Sequence, residues 1–598
     1  MSSSTSPSDP PAGNDPEPPP PDPSAHPVAP SPSAPPAPPD RMPAILRGLW
    51  YRQLHRYPAN GPRIFYLSIV VVGSVILYYE LYIQYAVSTL LMHEYGMTFM
   101  YATMISVVGN AVGAFASLLA GLADRWGRAN LVVYGLLITG VLVLFALPNA
   151  PSKGWFMFFM ALVNIVEGMA LVATPALIRD FSPQVGRAGA MGFWTLGPIV
   201  GSLVVTTVSS HTLDTSSWQD EFRYAGIVGL LVFVIALFGL RELSPALRDQ
   251  LMVSLRDKAL IEAKARGLDV AATQQSHWRQ LMRPDILAPA LGISLHLMFY
   301  YTVVGNLVVY YSTVYGYSEQ RTNALANWYW GANAIALVVV GIASDLTRVR
   351  KPFMIVGGVG TVVFTYLFAL TTDKPDTGYY TFAWLLVGIG VCSGLTYAPW
   401  MAGYTETVEK HNPAATATGL AVWGWIIRIV VSVSAVFTPV IVTSATPLVN
   451  HGQEVVAAQA DAGPALELVQ KDPALFVQLS KFPNRAAIPL DLQLKALQLA
   501  GGDLAKLNLV EQKQKSLAVL IDHGREVQQA KDRASDEWTR WWWLTLACQA
   551  LFIPCVFVMA GRWSPRRARE DEEAHARRVE AELAALGADG APDVAQPA

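Results

Sequence analysis

The chain has 598 residues, of which 52% are hydrophobic and only 15% are charged. Soluble domains carry about 25% charged residues, so this composition excludes an ordinary soluble domain and indicates a large lipid-facing surface. The formal net charge of −2 argues neither for nor against a nucleic-acid partner, and we expect none.

Residue types that carry catalysis or bind metals are scattered along the chain. The three cysteines lie inside apolar runs and form no CxxC pair, and the ten histidines include no HExxH motif. We therefore expect no metal site, no cofactor and no enzymatic activity. A glycine run at 356–360 lies inside an apolar stretch, which favours close helix packing over a nucleotide-binding loop.

The N-terminal segment differs from the rest in composition. Residues 1–43 are rich in Pro, Ser and Ala and contain no signal-peptide hydrophobic core. We expect a disordered tail there, either simply solvated or acting as a proline-rich docking ligand. From Arg41 to Arg63 the sequence turns basic and aromatic, which is typical of an interfacial segment that precedes a membrane span.

Apolar runs dominate the remainder. A membrane-crossing helix needs about 20 such residues, and we count twelve runs of that kind. They lie at 64–90, 98–122, 130–148, 154–178, 189–210, 221–241, 286–313, 321–343, 352–371, 379–402, 414–442 and 541–561. The pattern predicts an all-α membrane protein with twelve transmembrane helices in two six-helix bundles.

The connections divide the chain into segments. These are an N-terminal bundle at 44–241, a linker at 242–284, helices seven to eleven at 285–442, an insertion at 443–538, helix twelve at 539–563 and a charged tail at 564–598. The linker alternates in charge, as solvated helices between two bundles do. The insertion is helical in pattern but interrupted by prolines, and it either caps the substrate entrance, contacts an unknown partner, or is a tolerated loop expansion.

Basic residues collect in the connections on one side of the predicted membrane. They are Arg63, Arg125, Arg128, Arg179, Arg187, Arg348, Arg350, Lys351, Arg562, Arg566 and Arg567. Connections on the other side are neutral or acidic. The positive-inside rule therefore predicts a multi-pass protein of the cell (plasma or inner) membrane, with both termini cytoplasmic and the insertion extracytoplasmic.

A charged turn between the second and third spans has a weaker copy in the second half. The first copy is Ala120–Arg128, which contains Asp124, and the second is Gly341–Arg350, which contains Asp345. A further pair of matching segments begins near Pro183 and Pro413, at a similar offset. Parallel repeats of six spans are typical of one class of secondary transporter.

The first charged turn resembles the cytoplasmic signature of the major facilitator superfamily (MFS). That signature reads Gly-x-Leu-Ala-Asp-Arg-x-Gly-Arg-Lys, and the matching residues here are Leu122, Ala123, Asp124, Arg125, Gly127 and Arg128. Ala120 and Ala129 replace its leading glycine and final lysine. The resemblance covers 60–442 and 541–561 and implies an MFS fold, with spans one, four, seven and ten lining a central cavity.

The signature residues are candidates for a gate. An acid at a cytoplasmic helix end can hold a helix N-terminus or a basic residue of the other half. We therefore expect Asp124, Arg125, Gly127, Arg128 and Asp345 to act in gating. Candidate partners are Arg179, Asp180, Glu406 and Glu409.

Two further segments bear on the direction of transport. Gly197-Pro198 with Gly192 and Gly201 is similar, incompletely, to the antiporter motif of the superfamily. Asn164 stands where drug:proton antiporters carry an arginine. Tyr78–Tyr82 is similar to the acid-and-aromatic entry of metabolite:proton symporters.

Each ionisable residue inside a predicted span raises the free energy of membrane insertion by about 2.5–3.5 kcal/mol. Its presence there therefore needs a functional or structural explanation. Glu80, Glu167 and His296 are candidates for proton coupling, because buried carboxylates and imidazoles can exchange a proton near neutral pH. The alternative is a structural role, with the carboxylates neutralised by an arginine or by hydrogen bonds and the histidine bonded between helices.

Arg428 stays charged at any working pH and can bind an anionic substrate or pair with a carboxylate. Neutral candidates for substrate contact are Gln84, Asn164, Tyr301 and Asn306, any of which can be packing residues instead. Together these residues favour proton-coupled symport of an organic anion or similar small metabolite. Efflux of an amphipathic compound, or a receptor that uses 443–538, remain the alternatives.

Overall fold

The computed structural model describes residues 49–118, 126–181, 186–244, 247, 281–412, 416–479, 481–482 and 487–589. Several predictions fall outside these ranges. They concern the N-terminal tail 1–43, the gate residues Asp124 and Arg125, most of the linker 242–284 and the last residues of the charged tail.

The described part of the N-terminal half contains seven helices. They are α1 (Asn60–Ala86), α2 (Ser88–Tyr95), α3 (Phe99–Leu118), α4 (Arg128–Val141), α5 (Lys153–Phe181), α6 (Gly186–Thr212) and α7 (Trp218–Gly239). A π-helical turn at Leu142–Ala146 prolongs α4. Ser217 and Asp220 form a capping box that begins α7, since each side chain bonds the other's backbone N–H.

The C-terminal half continues the same all-helical architecture. Its helices are α8 (Pro284–His296), α9 (Met298–Tyr315), α10 (Glu319–Thr347), α11 (Lys351–Ala369), α12 (Tyr379–His411) and α13 (Thr416–Ile441). They are followed by α14 (Ala445–Lys471), α15 (Pro473–Leu479), α16 (Leu490–Leu499), α17 (Leu504–Gln512), α18 (Gln514–Ala550), α19 (Phe552–Val558) and α20 (Pro565–Asp589).

The helices are those of a membrane protein. Within the described residues, eleven are long and apolar enough to cross a membrane, and the 27-residue α6 lies where the sequence predicts the fifth span. Large apolar side chains point outward along them, among which Phe115 is 68% and Trp384 71% exposed, as expected of lipid-facing positions. The all-α membrane fold is confirmed, and the count of twelve spans stays a prediction.

Small residues let neighbouring helices approach closely. A Cβ added at Gly168 on α5 would lie 2.5 Å from the carbonyl oxygen of Gly113 on α3. In the second half, a Cβ at Gly357 would lie 2.7 Å from the carbonyl oxygen of Cys392 on α12. The glycine run 356–360 therefore serves helix packing, the common role of small residues in membrane helices.

The helix ends fall into two groups. We call the end that carries Arg128 and Arg350 the basic end, and the opposite end, which carries Thr89 and Thr446, the far end. At the basic end, strand β1 (Gln53–Leu54) pairs in parallel with strand β2 (Glu242–Leu243). This pairing ties the segment before α1 to the segment after α7.

The helices between α13 and α18 stand at the far end and have a small core of their own. Its buried members are Ala462, Ala465, Leu468, Val469, Phe476, Ala500 and Leu517. The predicted boundary at 538 falls inside α18, which runs without a break from Gln514 to Ala550. Hydropathy located only the second, apolar part of this helix because its first part is polar.

Candidate functional site

Glu167 lies in the middle of α5 and is almost fully buried. Its side chain is 2% exposed, and its Oε1 atom accepts no hydrogen bond from any described residue. A buried carboxylate oxygen normally has a partner. This oxygen is therefore available to a proton or to a bound molecule.

Arg428 lies near the midpoint of α13, in the other half of the molecule from Glu167. The two side chains are within electrostatic range of each other. Neither takes part in an ion pair within the described ranges. A carboxyl group of one half and a guanidinium of the other thus lie close enough to interact, with no ion pair between them in the described residues.

Tyrosines surround this pair. Tyr78 is within electrostatic range of both Glu167 and Arg428. The ring centroids of Tyr78 and Tyr82 are 5.4 Å apart in a tilted arrangement, and those of Tyr82 and Tyr85 are 5.9 Å apart. From the second half, Tyr301 is within range of Arg428. We call the following residues the central group: Tyr78, Tyr82, Tyr85, Glu167, Tyr300, Tyr301, Tyr397 and Arg428.

The chemistry of the central group suits a small polar organic molecule. Arg428 offers a permanent positive charge with a planar set of donors that fits a carboxylate. The phenol groups offer donors, acceptors and aromatic faces. Within the described residues, no group of three or more His, Cys, Asp or Glu side chains is placed to hold a metal ion.

Glu80 lies on α1, as three tyrosines of the central group do, but its side chain is turned away from the central group. It is fully buried, and its Oε2 accepts a hydrogen bond of 2.7 Å from Thr139 on α4. A methyl group at Gly229 on α7 would overlap its carboxylate. Glu80 therefore sits between helices of the N-terminal half, although it remains within electrostatic range of Glu167.

His296 is likewise outside the central group. It ends α8, is 2% exposed, and its ring lies 5.1 Å from the ring of Phe552 on α19. These contacts place it inside the C-terminal half, between the seventh and the last spans.

The neutral candidates are dispersed. Asn164 donates to the carbonyl of Met160 on its own helix and packs against Gly109 and Gly113 of α3. Gln84 lines a cavity at the far end, and Asn306 is buried on α9. Of the predicted substrate contacts, the structure brings together only Arg428 and Tyr301 with Glu167.

At the basic end, ion pairs form within each half. Arg128 Nη1 lies 2.8 Å from Asp180 Oδ2 in the N-terminal half. In the C-terminal half, Arg350 lies 2.6 Å from Asp345 and 3.2 Å from Glu406. Asp180 and Glu406 are two of the candidate partners that the sequence suggested. These pairs join helices of one half, and the gating role of the signature residues stays a prediction.

Gly127 adopts a φ of 91° just before α4, and beside it Glu242 accepts a hydrogen bond of 3.2 Å from the backbone N–H of Ala129. The carboxylate thus caps the start of α4, where the helix dipole favours a negative charge. Next to this cap, burial raises the pKa of Tyr57, which donates to the carbonyl of Asp180.

At the far end, hydrogen bonds join the two halves directly. Thr89 Oγ1 donates to Glu319 Oε1 at 2.5 Å, and Asn323 donates to the carbonyl of Ala86 at 3.1 Å. Asn327 accepts from Thr206 at 2.6 Å. The sequence analysis missed these contacts, because single Thr and Asn residues at helix ends carry no pattern that points to a partner.

A second cavity lies beside these bonds. Tyr82 and Tyr85 line it from α1, and Val303 and Trp330 line it from the other half. The hydrogen bonds beside it join the two halves at the far end.

Comparison with known proteins finds a family model and relatives that match part of the chain. The family model described as Major Facilitator Superfamily matches residues 70–444. The MFS-type transporter penM of Penicillium rubens is 23% identical over 296 residues, which are 46% of this chain and 57% of penM. The efflux pump radE of Floropilus chiversii is 22% identical over 317 residues, which are 51% of this chain and 55% of radE. The chain thus spans little more than half the length of these curated relatives.

A solved structure shares the fold. It is the crystal structure of a bacterial homologue of the human lysosomal transporter Spinster, in an inward-facing and occupied conformation. The sequence identity is 15% and the TM-score 0.52, with 83% of this chain and 97% of that chain covered.

Proposed function

The chain belongs to the Major Facilitator Superfamily, and on that premise we propose that it moves a small organic anion together with a proton by alternating access. The observation that carries this proposal is the unpaired arrangement of Glu167 and Arg428. The carboxyl group of Glu167 in one half and the guanidinium of Arg428 in the other are within electrostatic range of each other, and tyrosines surround them.

Charge balance at the central group supports coupling. When the site is empty and Glu167 is ionised, its charge offsets that of Arg428. When an anion binds Arg428, ionised Glu167 becomes an excess negative charge, and protonation of Glu167 removes it. The empty site and the site that holds both anion and proton are therefore each balanced.

The two partly loaded states are not balanced. A proton alone leaves Arg428 uncompensated, and an anion alone leaves one negative charge in excess. An uncompensated charge in the membrane costs about 2.5–3.5 kcal/mol or more, which lowers the population of a closed state on the order of a hundredfold. Only the empty and the doubly loaded protein then change conformation readily, which is the condition for one-to-one symport.

The proposed orientation follows the distribution of basic residues. We place the basic end in the cytoplasm of a cell (plasma or inner) membrane, with both termini inside and α14–α17 outside. The proposed segments are the tail 1–43, the two bundles, the cytoplasmic linker 242–284 and the far-end insertion 443–538. Glu167 takes the coupling role in preference to Glu80 and His296, because it alone of the three belongs to the central group.

The proposal is tested in two steps. Metabolite profiling of cells with and without the protein selects candidate carboxylates. Purified protein in liposomes is then given each candidate, and internal pH, uptake and membrane current are recorded together. We expect uptake of a monoanion with one proton and no net current. Uptake that ignores an imposed pH gradient would refute the coupling.

A second candidate function is proton-driven efflux of an amphipathic compound. The name of the relative radE, an efflux pump, favours it, and the tyrosines of the central group offer aromatic faces to an apolar part of such a compound. The direction of flux in inverted vesicles distinguishes the two functions. Export of the compound in exchange for protons would support efflux.

A further inference from the structure

We propose that α14 helps to close the far end of the interface between the two halves. In this far-end gate, Thr446 and Asn450 hold the turn Met97–Phe99 of the N-terminal half. Each opening of the central group to the far side then requires these contacts to break. The inference rests on the proposed alternating access, and it assigns a role to helices that lie outside the two bundles.

The contacts between α14 and the turn are specific. The backbone N–H of Phe99 donates to Thr446 Oγ1 at 3.0 Å, and Asn450 Nδ2 donates to the carbonyl of Met97 at 3.2 Å. Met97 is 1% and Phe99 2% exposed. The turn is thus shielded from solvent next to α14, and two of its backbone groups are hydrogen-bonded to side chains of α14.

The other side of α14 is fixed to the C-terminal half. Glu537 on α18 accepts hydrogen bonds of 2.8 Å from Thr443 Oγ1 and from the backbone N–H of Ser444, at the start of α14. The next residue, Trp538, donates to Thr313 on α9 at 3.1 Å. Because α18 continues into the membrane, α14 moves with the C-terminal half.

A cavity lies beside the turn that α14 holds. It is lined by Tyr85, Met97 and Phe99 from the N-terminal half and by Gly305 and Val309 from the other half. Tyr85 belongs to the central group. The cavity therefore extends from a member of the central group to the turn that Thr446 and Asn450 hold.

The geometry explains why the helix bridges the halves at this place. When the halves separate at the far end, the turn 97–99 must move away from α14. The bonds to Thr446 and Asn450 are then lost together with those between Thr89 and Glu319. α14 contributes to the stability of the closed far end and so limits how often it opens.

Access to the cavity tests the inference without requiring a known substrate. Ala102 lines the cavity and is replaced by cysteine in a protein whose native cysteines, Cys392, Cys548 and Cys555, are replaced by alanine. A membrane-impermeant maleimide is applied from the far side. The test variant carries Thr446→Val and Asn450→Leu, which remove both hydrogen bonds at similar size.

We expect the test variant to be labelled on the order of tenfold faster, because two hydrogen bonds that favour the closed state are lost. The matched control is Ser516→Ala. It removes a hydrogen bond to Asp461 within the far-end helices and none to the N-terminal half, and its labelling rate should equal that of the parent. Equal rates for parent, test variant and control, with all three monodisperse, would overturn the inference.

A second experiment holds the far-end gate closed instead of weakening it. Cysteines at Thr98 and Thr446 are joined by a short cleavable thiol cross-linker. We expect cross-linking to stop labelling from the far side, and cleavage to restore it. If labelling persists after cross-linking, α14 is not part of the gate. If labelling follows these expectations but no anion is carried, the gate stands and the proposed symport fails.

Discussion

Arg128 and Asp180 form an ion pair of 2.8 Å that joins the start of α4 to the end of α5. Arg350 and Glu406, at 3.2 Å, join the start of α11 to the end of α12. These are corresponding places in the two halves, so the repeat in the sequence has a counterpart in side-chain contacts. Each half carries its own charged brace at the basic end.

Breaking the first brace should slow transport. We expect Arg128→Gln to lower the initial rate of uptake several-fold, since a partly exposed ion pair contributes about 1 kcal/mol. The double exchange Arg128→Asp with Asp180→Arg should restore part of the rate. Uptake is normalised to surface expression. A double exchange that is no better than either single variant would argue against a brace.

Asp124 remains a predicted gate residue. We expect Asp124→Asn to impair transport while expression stays largely intact. Asp214→Asn, at an exposed far-end position, is the control. The measurement is uptake beside the amount of protein at the cell surface, and normal uptake by Asp124→Asn would remove this residue from the gate.

Glu167→Gln should separate coupled accumulation from exchange. Without a titratable group, the empty site keeps the uncompensated charge of Arg428, whereas the anion-loaded site is balanced. We expect accumulation to fall at least about tenfold, while exchange of internal for external substrate continues. Glu94→Gln, exposed at the far end, is the control. Full pH dependence of uptake in Glu167→Gln would exclude this residue as the coupling acid.

Arg428→Gln should weaken binding of the anion. Loss of a charge-assisted hydrogen bond costs about 1.5–3 kcal/mol, so the KM should rise on the order of tenfold to a hundredfold. Arg428→Lys keeps the charge but not the planar set of donors, and its KM should lie between those of the unmodified protein and Arg428→Gln. Initial rates over a range of substrate concentrations decide the question. An unchanged KM in Arg428→Gln would place the anion elsewhere.

Gly168→Ala should destabilise the N-terminal half. The added methyl group would lie 2.5 Å from the carbonyl oxygen of Gly113, so α3 and α5 must separate, at a cost of about 1–3 kcal/mol. Thermal unfolding in detergent measures the loss. Gly331→Ala is the matched control, because nothing lies within 4 Å of its added methyl group. Equal midpoints for the two variants would contradict the packing argument.

The sequence predicted the family, the all-α membrane fold and the repeat, because hydropathy and the charged turn are local signals. It also contained more about the central group than we extracted. Tyr78, Tyr82 and Tyr85 recur at the spacing of one helix face, and the structure places them together. Glu80 is two residues from Tyr78, about 200° around the helix, which agrees with its position between α4 and α7.

Other contacts could not be predicted from local patterns. The approach of Arg428 to Glu167 depends on how the two halves pack, and no spacing along the chain encodes it. The same holds for the contact of Asn327 with Thr206. The continuity of α18 was missed for a different reason, since an amphipathic helix that leaves the membrane loses the hydropathy signal while its backbone continues unchanged.

That continuity gives the far-end helices a mechanical property. The 37 residues of α18 span about 55 Å at 1.5 Å per residue, and part of this length lies outside the apolar segment. A small rotation of the C-terminal half is therefore converted into a larger displacement at Gln514. The displacement of a fluorophore attached near Gln514 would therefore report the rotation of the membrane-embedded C-terminal half, from an exposed site that labelling reagents reach easily.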